Sequence, residues 1–61
     1  MAGWCVTSPN LLPREGVVVE TKIDDGRGIR NQTLLKYDSG LWFYPDGNNY
    51  VYYTPTHWRY V

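Results

Sequence analysis

The clearest pattern in the chain is an alternation of apolar and polar residues over two consecutive stretches. The odd-numbered positions of residues 17–23 are Val, Val, Thr and Ile, and they alternate with Val18, Glu20 and Lys22. Residues 29–37 alternate again, and residues 30, 32, 34 and 36 form the more polar side. A period of two places successive side chains on opposite faces of a β-strand. The pattern therefore predicts two strands, joined by a turn at residues 24–28 that contains two glycines.

Residues 40–53 form the most aromatic part of the chain. Two runs, Leu41–Tyr44 and Tyr50–Tyr53, flank the turn-forming segment Pro45–Asn49. This order is typical of a β-hairpin with a longer loop, because Pro presets φ and Gly or Asn accepts a left-handed backbone. In the first run Trp42 and Tyr44 share a face, and in the second run Tyr53 shares a face with Val51. Both faces carry aromatic rings, so we expect a fold this small to leave one set exposed or half-exposed.

Short β-prone runs occur near both ends of the chain, at Trp4–Thr7 and at Thr56–Tyr60. Pro55 precedes the second run and favours an edge or a bend there. No segment shows apolar residues at helical spacing over two turns. Strands at intervals of about ten residues indicate a small all-β fold. We predict one domain over residues 1–61, with five or six short antiparallel strands in a meander curled into an SH3-like half-barrel. A partly open sheet that dimerises is the alternative.

The composition limits how such a domain is stabilised. A chain of 61 residues buries only about 60% of its unfolded surface, so it normally needs disulfides, a metal or self-association. Cys5 and His57 are the only cysteine and histidine, which excludes an intrachain disulfide and leaves a Cys/His metal site short of ligands. We therefore predict no metal and no cofactor, and expect stability to come from aromatic burial or from a homo-oligomer.

The charge and the apolar distribution bear on partners and location. The formal net charge is zero, which gives no general attraction to phosphate backbones or anionic lipids and little repulsion between copies. No apolar run is long enough for a membrane-spanning helix, and the N-terminus lacks the organisation of a signal peptide. One unpaired cysteine fits a reducing compartment. We expect a cytoplasmic protein with no membrane partner.

Two sets of residues are candidates for catalysis or metal binding. A pair of Cys5 and His57 would activate a thiolate if the first and last strands met, but no third orienting group is evident. Four carboxylates occur in predicted turns, where Asp usually caps its own backbone: Asp24, Asp25, Asp38 and Asp46. We therefore predict no catalytic residues and rank an enzyme last.

The aromatic residues favour binding, because Tyr, Trp and Arg are enriched at interface hot spots. The candidate binding residues are Trp42, Tyr44, Tyr52, Tyr53 and Arg30. The first hypothesis is a non-enzymatic protein-binding module. The alternative is a single-stranded nucleic-acid-binding protein that stacks bases on its rings and uses a local basic stripe of Arg27, Arg30, Lys36 and Arg59. Zero net charge makes nucleic acid the less favoured partner, and sugar binding on Trp and Tyr platforms ranks lower still.

An ordered set of short motifs spans nearly the whole chain: Trp4, Leu12-Pro13-Arg14-Glu15-Gly16, Asp25-Gly26, Tyr37, Gly40 with Trp42, and Thr56-His57-Trp58. In this order they resemble the small bacterial and bacteriophage proteins grouped as domain of unknown function 551. Those proteins typically open with Trp-Ile-Ser-Val, pass through Leu-Pro-Glu-x-Gly, and end in Thr-His-Trp before a proline-rich tail. The chain departs from this pattern at Cys5-Val6-Thr7 and in having no such tail after Val61, which leaves the anchoring of the closing strand open.

The resemblance implies a phage or prophage origin and a compact β fold, and it implies no particular reaction. It extends the first hypothesis to a stoichiometric inhibitor or adaptor of a host protein, such as a defence component. With such an origin, we expect the protein in the cytoplasm of the bacterial host cell.

Overall fold

The structure, a computed structural model, describes residues 3–61, and all regular elements in that range are β-strands. The strands are β1 (Cys5–Val6), β2 (Val18–Asp24), β3 (Ile29–Asp38), β4 (Leu41–Phe43) and β5 (His57–Tyr60). The predicted all-β class and the predicted number of short antiparallel strands are confirmed. The two alternating stretches of the sequence become β2 and β3, with ends within one residue of those expected.

The five strands form one antiparallel sheet in the order β1-β5-β2-β3-β4. β2, β3 and β4 follow one another as a meander, whereas β5 returns to lie between β1 and β2. This return pairs the first strand with the last, with Cys5 opposite Trp58 and Val6 opposite His57. The order is compatible with an SH3-like half-barrel. It leaves β1 and β4 as the two edges of the sheet.

The core lies on one face of the sheet and is built largely from aromatic and β-branched side chains. Its buried apolar residues are Val19, Leu35, Trp42, Val51 and Trp58, with exposed fractions of 8% or less. Thr21 is also fully buried, and its hydroxyl donates to the carbonyl oxygen of Thr33 at 2.9 Å. Residues 19 and 21 point into the core, as the alternation of β2 predicts, whereas Lys22 on the opposite face is also buried, with 9% of its surface exposed.

A β-bulge interrupts the alternation of β3. Thr21 lies opposite Thr33, but Ile23 lies opposite Arg30, so β3 carries one residue more than β2 over this interval. Asn31 has a φ of +55°, a left-handed conformation that Asn tolerates better than most residues. The single buried face predicted for residues 29–37 therefore holds only from Thr33 onward. Ile29, expected on that face, is 58% exposed.

The aromatic hairpin forms, but its second arm is not a regular strand. Phe43 and Tyr50 make an isolated bridge, and the Val51 N–H donates to the Trp42 carbonyl oxygen at 2.9 Å. Residues 49–51 therefore follow the outer edge of the β4 arm through single hydrogen bonds. The edge of the sheet next to β4 is consequently occupied by an irregular aromatic segment.

Hydrogen bonds of the Thr56-His57-Trp58 segment hold the start of β5 against β2 and against the loop before β2. The Thr56 hydroxyl oxygen accepts a hydrogen bond from the Asp24 N–H at 2.7 Å, and it lies 2.8 Å from His57 Nδ1. The Trp58 indole N–H donates to the Leu11 carbonyl oxygen at 3.1 Å, which ties the loop before β2 to the core. These residues, which contribute to the family resemblance, have structural roles in this chain.

Candidate binding surface

Three rings on the outer side of the hairpin form an edge-to-face row, here called the aromatic ladder: Phe43, Tyr50 and Tyr52. The Phe43 and Tyr50 centroids are 5.8 Å apart at 67°, and the Tyr50 and Tyr52 centroids are 5.4 Å apart at 65°. Both pairs have the edge-to-face geometry that aromatic side chains prefer. The ladder is therefore an ordered surface feature and not a set of independent side chains.

The ladder lies outside the core because its neighbours fill the inner positions. Val51 is 8% exposed and Trp42 is 4% exposed, whereas Tyr50 is 42% exposed and Tyr52 is 93% exposed. Successive residues of an extended segment point to opposite sides, so burying Val51 turns Tyr50 and Tyr52 outward. Leu41, next to Trp42, is 40% exposed for the same reason.

A cleft of about 210 Å³, here called the β4 groove, opens between residues 40–42 and residues 50–54. Its inner wall includes core residues such as Trp42 and Val51, and its outer wall includes Tyr50 and Tyr52. None of the lining residues carries a charge. Sites for drug-sized ligands measure roughly 300–1,000 Å³, so this groove has room for one or two side chains.

Two carboxylates lie at the Gly40 end of the β4 groove. The Ser39 N–H donates to Glu15 Oε1 at 2.9 Å, and the Ser39 hydroxyl donates to Asp38 Oδ1 at 2.9 Å. Asp38 is directly opposite Leu41 in the sheet, and Leu41 lines the groove. Within residues 3–61, neither carboxylate has a cationic partner closer than 4.0 Å. Both charges therefore remain free to interact with a ligand.

The far end of the hairpin carries one carboxylate and one ammonium group. Asp46 Oδ1 accepts from the Asn48 N–H at 2.9 Å within the turn. Lys36 lies opposite Phe43 in the sheet, and its ammonium group is close to Gly47, which has a φ of +77°. The surroundings of the groove and the ladder are thus richer in carboxylates than in cations.

The structure separates the five residues predicted for binding. Tyr52 and Tyr53 both line the β4 groove, although Tyr53 is half-buried against the core. Tyr44 is 42% exposed. Trp42 is 4% exposed and packs edge-to-face on Tyr37 at 5.1 Å, so the expectation that it belongs to an exposed patch is corrected.

Arg30 lies far from the aromatic residues. It is opposite Ile23 near the β2–β3 turn, six residues along β3 from Lys36, which corresponds to roughly 20 Å. Its guanidinium group forms a two-pronged ion pair with Asp25, with N–O distances of 2.9 and 2.8 Å. The structure therefore does not bring Arg30 to the aromatic surface.

The sequence prediction omitted three residues of this surface: Leu41, Phe43 and Tyr50. For Tyr50, a signal is present in the sequence. Val51 is the only aliphatic residue of the second run, and the face it shares is the better candidate for burial. Assigning that face to the core leaves Tyr50 and Tyr52 outside, as the structure shows.

The other candidate sites adopt ordinary structural arrangements. Cys5 lies opposite Trp58 in the β1–β5 pair, and both side chains are on the core face. His57 is the neighbour of Trp58 in β5, so its side chain points to the opposite face of the sheet. Hydrogen bonds from Arg30 and from the Arg27 N–H lower the pKa of Asp25 to about 2. In the part of the chain that the structure describes, no three Asp, Glu, His or Cys residues are placed to hold a metal ion.

The basic residues proposed as a stripe are dispersed over the sheet. Arg59 pairs with Glu20 at 2.7 Å, and this hydrogen bond lowers the pKa of Glu20. Arg59 and Lys22 each lie 4.3 Å from the centroid of the Trp4 ring, at the β1 side of the sheet. Of the four residues named for the stripe, only Lys36 is close to the aromatic ladder. This dispersion weakens the case for a track that binds phosphates.

No protein-family model, no curated protein and no solved structure matches the chain. The resemblance to domain of unknown function 551 therefore stays a prediction. Residues 3–61 include no helix of the length and apolar character needed to cross a membrane.

Proposed function

We propose that this chain is a non-enzymatic protein-binding module that acts through stoichiometric contact at the aromatic ladder. The observation that carries the proposal is the position of Tyr52. This side chain is 93% exposed, yet its ring is held edge-to-face on Tyr50, 5.4 Å away. An exposed and ordered Tyr supplies a large contact area at a low cost in conformational entropy.

The wider proposal follows the family resemblance. A phage or prophage protein of this kind would bind a host protein in the bacterial cytoplasm, as an inhibitor or an adaptor. Single-stranded nucleic acid is the second candidate, since bases stack on exposed rings and Lys36 lies beside the ladder. The three carboxylates near the hairpin, Glu15, Asp38 and Asp46, oppose a phosphate backbone and place this candidate second.

The test is affinity capture from bacterial lysate with and without nuclease, in the wild type and in two variants. The double variant Tyr50→Ala/Tyr52→Ala removes the exposed part of the ladder. The control is Ile29→Ala, which truncates a side chain that is 58% exposed and lies seven residues along β3 from Lys36, roughly 23 Å away.

We expect wild type and control to retain the same nuclease-resistant protein and the double variant to lose it, with unchanged far-UV circular dichroism. Equal capture by all three proteins would contradict the proposal. Capture that disappears with nuclease would replace it with nucleic-acid binding.

A further inference from the structure

The β4 groove and the carboxylates at its Gly40 end together point to one class of ligand. We propose that the groove binds an extended, proline-containing peptide segment that carries an arginine or lysine next to its apolar residues. The inference rests on the proposed protein-binding function and specifies the chemistry of the partner.

The size of the surface favours a short segment over a second copy of the chain. Of the residues that line the groove, Tyr52 is 93% exposed, and Tyr50 and Leu41 are 42% and 40% exposed. At roughly 150–250 Å² for each large side chain, these three residues present roughly 250–450 Å². A stable protein–protein interface buries about 800 Å² on each partner. A peptide of a few residues matches the available area, whereas a stable dimer needs more.

The walls of the groove favour proline and aliphatic side chains. They combine the rings of Trp42, Tyr50, Tyr52 and Tyr53 with the small residues Gly40 and Thr54, and they carry no charge. Grooves lined by aromatic rings bind proline-rich segments, because a polyproline II helix is already extended and loses little conformational entropy on binding. A volume of about 210 Å³ admits one or two such side chains at a time.

The carboxylates at the Gly40 end of the groove select for a cationic side chain in the ligand. Glu15 and Asp38 each accept a hydrogen bond from Ser39, which directly precedes Gly40 of the groove. Arg14, the nearest cation in sequence, is not within 4.0 Å of Glu15. Two carboxylates beside an uncharged aromatic groove attract a cationic side chain and repel phosphate.

The experiment measures peptide binding by fluorescence anisotropy and by amide chemical shifts. The basic probe is a labelled nine-residue peptide of Pro-Pro-Ala repeats with one arginine at each end. The acidic probe has glutamate at both ends, and a third probe is an oligothymidylate of eight nucleotides. The variants are Tyr52→Ala, the charge-neutral Glu15→Gln/Asp38→Asn, and the control Ile29→Ala. Gln and Asn retain an acceptor for the Ser39 hydrogen bonds, so this double variant removes charge and keeps the turn.

We expect the basic probe to bind at least about fivefold more tightly than the acidic probe, and to shift the amides of Gly40, Val51 and Thr54. Tyr52→Ala should weaken its binding at least about fivefold, and the charge-neutral variant about three- to tenfold, as two exposed charge pairs predict. Ile29→Ala should leave binding within about twofold.

No binding of the basic probe at about 1 mM would overturn the inference, as would equal affinity for both peptides. Preferential binding of the oligothymidylate in the groove would also overturn it, in favour of nucleic acid. If lysate capture depends on Tyr50 and Tyr52 but the basic peptide does not bind, only the ligand class is wrong. If capture is unaffected by those substitutions, the protein-binding proposal itself fails.

Discussion

The assignment of the ladder to binding makes a quantitative prediction about stability, because a residue kept for binding should contribute little to folding. The perturbation is Tyr52→Ala, compared with Trp42→Ala on the other side of the same hairpin. Tyr52 buries only about 7% of its surface, or roughly 15 Å², which corresponds to about 0.4 kcal/mol. The edge contact with Tyr50 adds a few tenths of a kcal/mol at this exposure, at the low end of the usual range. The expected loss in unfolding free energy is therefore below about 1 kcal/mol.

Trp42 gives the opposite expectation. Its ring is 4% exposed and contacts Tyr37 edge-to-face at 5.1 Å. Truncating such a residue to Ala destabilises a protein by about 3–5 kcal/mol. A domain of this length is stable by only about 3–9 kcal/mol. We therefore expect Trp42→Ala to be largely unfolded at room temperature, while Tyr52→Ala stays folded.

The assay is urea denaturation followed by far-UV circular dichroism. For a small domain with a slope of about 1 kcal/mol per molar urea, the Tyr52→Ala midpoint should fall by less than about 1 M. A loss of about 2 kcal/mol or more would refute the reasoning, because the ladder would then be part of the folded-state packing. A fully folded Trp42→Ala protein would refute the assignment of Trp42 to the core.

Two further predictions concern the anchoring of the loops. Trp58→Phe removes the indole donor to the Leu11 carbonyl oxygen. It should lower the unfolding free energy by about 1–2 kcal/mol, measured by urea denaturation. An unchanged midpoint would show that this hydrogen bond does not hold the loop. Hydrogen bonds from Arg30 are the main cause that lowers the pKa of the Asp25 carboxyl from 3.8 to about 2. This carboxylate therefore contributes stability that is present above pH 3.8 and is lost as the pH falls toward 2. Asp25→Asn should therefore flatten the stability profile over that interval, and an NMR titration midpoint near 3.8 for Asp25 would contradict the assignment.

The period-two pattern predicted β2 and β3 well, because each strand has one buried face and the alternation records it. The pattern failed at Asn31, where the backbone turns left-handed with a φ of +55° and β3 gains one residue relative to β2. The backbone φ of a residue cannot be read from the order of apolar and polar side chains along the chain. The exposure of Ile29 was for this reason not predictable from alternation.

The placement of β5 and the burial of Trp42 depend on contacts between distant parts of the chain. β5 pairs with β2 at sequence separations that range from 35 residues, for Lys22 with His57, to 41 residues, for Val19 with Tyr60. Trp42 is buried because it lies opposite Tyr37, on the same face as Leu35. Aromatic rings occur on both faces of the hairpin, and within the second run Val51, its only aliphatic residue, is the one local indication of which face is buried.

The pairing of β1 with β5 has a practical consequence for how the chain can be joined to other molecules. Cys5 lies opposite Trp58, so the beginning of β1 and the end of β5 are close together at the same edge of the sheet. The β4 groove is at the other edge, four strand spacings or roughly 19 Å away. Two copies joined by a linker of about ten Gly and Ser residues, which spans roughly 16–19 Å, therefore keep both grooves open. Such a tandem would convert weak single-site affinity into avidity for a partner with repeated motifs.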